Sequence, residues 1–256
     1  MSNLFWLTDT QMSRLSPFFP KSHGRPRVDD RRVLSGIIFI NRNGLRWCDA
    51  PREYGPPKTL YNRWKRWSRM GVFTRMMHGL ASEAADEKTI MIDATYLKAH
   101  RTASSLRVKK GGPEDQRGRL IGRTKGGMNT KLHAVADAQG RPISLFVTAG
   151  PVSDYSGAAA LLRSFPKAEW MLADRGYDAD WFRDALKDKG ISACIPGRKT
   201  RKKTVRYDER RYKRRNRIEI MFGRLKDWRR VATRYDRCPI VFLSAIALAA
   251  TVLFWL

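Results

Sequence analysis

The chain has 256 residues, with 51 Lys and Arg against 24 Asp and Glu and a formal charge of +27, and its pI is about 10.8. Such a balance repels itself unless a polyanion neutralises it. The polyanion that cells hold in quantity is nucleic acid, whereas an acidic small molecule would not call for so much charge. With 42% hydrophobic and 11% aromatic residues, the chain can bury one good core and a smaller second one, which excludes disorder throughout.

Three cysteines, Cys48, Cys194 and Cys238, form neither a CxxC pair nor a disulfide framework, so a secreted disulfide scaffold is excluded and the reducing cytoplasm is the expected compartment. The N-terminus MSNLFWLTDTQMSRL does not have the pattern of a signal peptide. Residues 1 to about 85 read as helical and basic. Thr8 is a predicted N-cap for DTQMSRL, and Asp29 or Asp30 opens a helix with an apolar stripe of Val33, Ile37, Ile38 and Ile40 that ends at Gly44. After a break at 48–57, Leu60, Trp64, Trp67 and Met70 share one face of a second helix. Lys58, Arg63, Lys65, Arg66 and Arg69 lie on its other faces. Helix, turn and basic aromatic helix outline a helix-turn-helix, with Arg63, Lys65 and Arg66 placed to contact DNA. A small helical bundle with solvated charge gives the same pattern.

The period changes after residue 86. TIMIDATYLKA reads as a strand, 100–129 as a basic Gly-rich loop or lid, and KLHAVAD and RPISLFVTA as a hairpin across 138–140. A helix capped by Asp154, the strand WMLAD, a helix from Asp178 to Lys189, the strand ISACIP, the basic loop 198–206 and a long helix 208–230 follow. The expected division is therefore a helical DNA-binding unit, 1–85, and a mixed-sheet α/β unit, 86–256. The uncharged segment Pro239–Leu256 fits a fully buried core helix or a tail anchor. Its 18 residues fall at the short limit for a bilayer, so the core reading is preferred and no membrane partner is expected.

In so basic a chain, a carboxylate in an apolar or basic setting needs a reason. Asp93 lies inside the first strand of the sheet, and Asp174 ends WMLAD at the carboxyl edge, where open α/β sheets place ligands. Each alone also fits a strand-end residue satisfied by a neighbour. Between Arg210 and Arg230, ten basic residues face only Glu219 and Asp227. At about 100° per residue Tyr212, Arg215, Glu219 and Lys226 form one stripe, beside an apolar face of Ile218, Met221, Phe222 and Leu225. A salt-bridged helix face is the competing reading. Three carboxylates without a His or Cys cluster suit Mg²⁺ or Mn²⁺, and two such ions could clamp both oxygens of a phosphodiester displacement.

These residues carry a resemblance. Tyr212, Arg215, Glu219 and Lys226 match the Y(2)R(3)E(6)K signature of bacterial insertion-sequence DDE transposases. MIDATYLKAHRT around Asp93 and LADRGYDAD around Asp174 resemble the first two acidic motifs of the insertion-sequence-five family, relatives of Harbinger transposases. The similarity spans about residues 20–256. It implies a ribonuclease-H-like catalytic fold with residues 239–256 packed inside it, an Asp93, Asp174 and Glu219 triad holding two Mg²⁺ or Mn²⁺ ions, and DNA contacts from Tyr212, Arg215 and Lys226; Arg175, beside Asp174, is a further candidate DNA contact. It further implies a homo-oligomer on terminal inverted repeats and target DNA, in the bacterial cytoplasm at the nucleoid. Many members are encoded in two frames joined near a Lys-Gly run such as Lys109–Gly112. A non-catalytic DNA-binding repressor or transposase remnant is the alternative from another class, and an unrelated metal-dependent nuclease is a third.

Overall fold

The computed structural model describes residues 4–21, 29–83, 88–105, 118–201 and 204–256. The N-terminal part is helical as expected. Helix α1 (Asp9–Leu15) starts with a complete capping box in which Thr8 accepts from the Gln11 amide and Gln11 answers on the Thr8 amide. Helix α2 (Asp30–Asn43) is capped by Asp29 and ends at Gly44, whose φ of 71° is the left-handed C-cap that glycine tolerates. Helix α3 (Pro57–Arg69) buries Leu60, Trp64 and Trp67, and α4 (Val72–Glu83) follows directly.

Strand β1 (Thr89–Ala99) leads into α5 (Arg101–Ser104), and β2 (Gly122–Thr124), β3 (Gly127–Ala136) and β4 (Pro142–Ala149) come next. Part of the expected loop 100–129 is thus regular, while 106–117, with the Lys-Gly run, lies outside the described residues. Helix α6 (Asp154–Leu161) is capped by the Ser153 hydroxyl, so Asp154 is its first residue and not its cap. Strand β5 (Trp170–Leu172), helix α7 (Asp180–Asp188) and strand β6 (Ser192–Cys194) alternate, and Gly190 closes α7 at φ 72°.

The long helix expected over 208–230 is interrupted. Helix α8 (Glu209–Tyr212) passes through a 3-10 turn at Lys213–Arg215 into α9 (Asn216–Lys226), and α10 (Arg229–Ala232) is separate. Arg215, the last residue of that turn, ion-pairs with Asp93 and Glu219. A two-residue strand, β7 (Thr233–Arg234), precedes α11 (Pro239–Ala250), which ends in a π turn at Thr251–Trp255.

The mixed sheet centres on β1. It pairs antiparallel with β3 and parallel with β5, β5 continues to β6, and β2 and β4 both pair with β3. Two helices mark its faces. Gly157 of α6 lies so close to His133 of β3 that a Cβ there would meet the imidazole at 2.0 Å. Helix α9 lies on the opposite face, that of Asp93 and Thr95. Helix α11 is apolar on all sides and therefore needs cover on all sides. It packs against α2, α3, α4, α9, α10 and β4, so the helical segment and the sheet share one continuous core across residue 85. No helix of the described residues is long and apolar enough to cross a membrane.

Candidate active site

The site starts from strand register. β1 and β5 run parallel with Met91 opposite Leu172. Asp93 and Asp174 each follow that pair by two residues, Asp174 just past the end of β5, and they are near enough for Asp174 to act on the Asp93 carboxyl. Asp174 caps the 3-10 turn Arg175–Tyr177 by accepting from the Gly176 amide at 2.9 Å. Asp93 accepts from the Ala94 amide at 2.8 Å through Oδ1 and from Arg215 Nη1 at 2.7 Å through Oδ2. Burial pushes the Asp93 carboxyl up to about 6; Asp174 adds to the rise, and the Ala94 amide and Arg215 oppose it.

Helix α9 closes the group. Arg215 Nη2 also donates to Glu219 Oε1, so one guanidinium bridges a β1 carboxylate and an α9 carboxylate. About two turns beyond Glu219, Lys226 Nζ donates to Thr95 Oγ1 at 2.7 Å. Thr95 lies two residues past Asp93, on the same face of β1. Burial lowers the Lys226 pKa. Tyr212 is half-buried, with its ring edge-on to Tyr207 and the Arg215 guanidinium 5.8 Å from its centroid. Two members of the stripe read from helical periodicity, Arg215 and Lys226, thus reach β1 despite the 3-10 turn.

The structure brings together Asp93, Asp174, Glu219, Arg215, Lys226 and Tyr212, with Arg175 exposed in the turn after Asp174. Arg63, Lys65 and Arg66 sit elsewhere, on α3. Arg63 is drawn into the protein by Asp30 at 3.2 Å, with both side chains about 16% exposed, and by the Trp67 ring. Lys65 acts on Asp236, and Arg66 is exposed.

Several supporting residues were not singled out from sequence. Asp178 has a fully buried carboxylate that accepts from Arg183 and Arg201 at 2.8 Å and from the Arg198 amide at 2.8 Å. Arg198 in turn donates to the carbonyls of Arg175 and Gly176, which fixes the turn carrying Asp174 from behind. Tyr177 is buried, and its hydroxyl has no hydrogen-bond partner among the described residues. Burial raises its pKa strongly, with Asp154, Asp93 and Asp174 adding to the rise. The signal for the Asp178 anchor was present as a second acid in LADRGYDAD facing the acid-free run 198–206. Thr95 could have been found as the i+2 neighbour of Asp93.

The donor set is oxygen only and is supplied by three segments remote in sequence, a chemistry that suits hard divalent cations. As they stand, no three His, Cys, Asp or Glu side chains among the described residues are gathered to hold a metal ion. Arg215 lies between two of the three carboxylates in question.

This sheet order, with carboxylates on adjacent parallel strands and a third on a following helix, defines a ribonuclease-H-like fold of the DDE class. Residues 84–255 match the family described as transposase DDE domain, and residues 7–77 match a putative transposase of the IS4/5 family. The chain belongs to the DDE transposase family, in its bacterial insertion-sequence branch. It is 36% identical over 130 residues to a putative transposase for insertion sequence element IS6501 of Brucella ovis, covering 50% of this chain and 99% of that one. A putative transposase for insertion sequence element IS402 of Burkholderia cepacia is 28% identical over 156 residues, covering 54% and 72%. Among solved structures, a piggyBac transposase synaptic complex with hairpin DNA superposes with a TM-score of 0.53 at 8% identity, covering 97% of this chain and 72% of that one. That last likeness is one of fold alone.

Proposed function

We infer that this transposase binds the terminal inverted repeats of its element, hydrolyses a phosphodiester to free a 3′-OH, and directs that hydroxyl at target DNA. Asp93, Asp174 and Glu219 form the catalytic triad. The observation that carries the reading is the convergence of β1, the end of β5 and α9 on one patch, where Arg215 ties Asp93 to Glu219 and Asp174 acts on the Asp93 carboxyl.

The triad would hold two Mg²⁺ or Mn²⁺ ions, which when bound supply Lewis-acid charge to the phosphoryl oxygens. The rest of the work falls to the chain itself. Asp93 is fixed by the rigid central strand and the Ala94 amide, and Asp174 by a turn that Arg198 holds from behind. That rigidity sets the scissile phosphate and the attacking oxygen in line. Lys226, Arg215 and Arg175 are cations beside the triad and would take phosphates of the bound strand, with Tyr212 against the adjacent sugar or base. Arg66 and the exposed basic face of the N-terminal helices would bind the repeats, and pairing of two ends calls for more than one copy of the chain.

The test is to incubate purified protein with duplexes carrying the element's ends, a supercoiled target and Mg²⁺, and to sequence the products. Cut ends joined to target support transposition. Cutting without joining would reduce the reading to a nuclease, and binding without cutting would reduce it to a repressor.

A further inference from the structure

Arg215 is in the wrong place for a residue whose only work is to hold DNA. Its side chain is about 17% exposed, and it directs one nitrogen at Asp93 and the other at Glu219, two of the three proposed metal ligands. A guanidinium is planar and rigid, so a fork that meets two carboxylates puts its positive carbon between them. Among the hydrogen bonds of the described residues, Asp93 has both oxygens engaged, by Ala94 and Arg215, and Glu219 has one engaged by Arg215. A divalent cation bridging strand and helix would need the same oxygens and the same space.

Resting on the DDE reading above, we propose that Arg215 is an internal stand-in cation, which keeps Asp93 and Glu219 from divalent metal until a DNA phosphate draws it away. Three features support this role. The arrangement is neutralising, since without a cation Asp93 would face Asp174 and Glu219 from a largely buried position, at a cost in desolvation and repulsion. The alternative partner is well matched, because phosphate accepts the same two-pronged fork as carboxylate. Lys226, at the end of the helix that Arg215 precedes, is held by a neutral hydroxyl and by no triad carboxylate among the described residues, so Arg215 is the described cation that must be exchanged for metal to enter. The exchange leaves neither anion bare: a DNA phosphate takes the guanidinium as the divalent metal takes the carboxylates. Metal and DNA should therefore strengthen each other's binding, reciprocally. An enzyme built in this way holds metal poorly until it has engaged DNA, which protects the host chromosome from an idle loaded nuclease.

The test uses the full chain, Mn²⁺ alone, and a short duplex of arbitrary sequence, because phosphate contacts do not depend on sequence. Mn²⁺ affinity is read by the loss of the free-ion paramagnetic resonance signal, and folding is read by circular dichroism. Wild type should bind Mn²⁺ at least about tenfold more tightly with duplex than without it, within the usual range of coupling between sites. Arg215→Gln should bind Mn²⁺ about tenfold more tightly than wild type without DNA and should gain little from duplex. Lys226→Gln removes one positive charge from the same helix without freeing a carboxylate, so its DNA-free affinity should stay near wild type. Arg215→Lys, which keeps the charge but loses the fork, should fall between wild type and Arg215→Gln and serves if the glutamine variant fails to fold.

Equal gains in Arg215→Gln and Lys226→Gln would show general electrostatics and overturn the proposal. So would a wild-type Mn²⁺ affinity that is indifferent to duplex. Failure of the underlying reading looks different: Asp93→Asn would then leave Mn²⁺ binding unchanged with and without DNA. If Asp93→Asn abolishes binding while Arg215→Gln changes nothing, only the stand-in role is lost.

Discussion

His133 should make this protein lose stability on mild acidification. The imidazole is fully buried between β3 and α6, with Nε2 2.9 Å from Thr148 Oγ1 and Nδ1 unpartnered against Gly157. Burial pushes its pKa down to about 4, Lys131 lowers it further, and Asp154 opposes the fall. An unfolded histidine titrates near 6.5. Between those values the unfolded chain binds more protons than the folded one, so stability rises with pH across the window. His133's contribution is whole above about 6.5, shrinks as pH falls, and is gone by about 4. The total is about 3 kcal/mol, of which about 2 kcal/mol is lost by pH 5. The assay is urea unfolding at pH 7.5, 6 and 5 for wild type and His133→Gln, which keeps a polar group at Thr148 but cannot take a proton there. The mutation costs packing at every pH. The difference between the two proteins should therefore be largest at pH 7.5 and narrow by about 2 kcal/mol at pH 5, with other titrating groups cancelling in the comparison. A difference that stays constant with pH would refute the argument.

Asp178→Ala should destabilise the fold by about 3 to 5 kcal/mol in thermal or urea unfolding, because it strands Arg183 and Arg201 beside a buried site. It should also lower DNA cleavage in the fraction that remains folded, through the Arg198 contact with the turn after Asp174. Lys226→Ala should weaken duplex binding and make the log-log salt dependence shallower by about 0.9, the loss of one phosphate contact measured by fluorescence anisotropy. Glu219→Gln should bind duplex at least as tightly as wild type, because it removes a half-exposed negative charge from the stripe proposed to face DNA.

The site was more readable in the sequence than the packing around it. Asp93 stood out because a carboxylate inside TIMIDAT has no cheap explanation, and Glu219 because the stripe it shares with Tyr212, Arg215 and Lys226 borders the apolar face that docks α9. The bond from Arg215 to Asp93 spans 122 residues, and no helical period can show a partner on another element. The period also carried no sign of the 3-10 turn at Lys213–Arg215, since the run lacks the Gly or Pro that marks a break. Arg63 read as a groove contact because Asp30, its partner, lies on a different helix. The division at 85 followed a real change of period. The shared core was not read: the C-terminal helix was expected to pack within the α/β unit, yet a helix apolar all round needs cover on every side and takes part of it from α2, α3 and α4.

Metal-dependent cleavage by single triad variants bears most directly on the account. Wild type, Asp93→Ala, Asp174→Ala and Glu219→Ala are incubated with end-bearing duplex and Mg²⁺, and both nicking and duplex affinity are measured for each. The account predicts that wild type nicks at the element's ends, while each variant loses nicking and keeps its duplex affinity within a few-fold. Substantial Mg²⁺-dependent nicking by any one of the three would remove that residue from the site and contradict the triad.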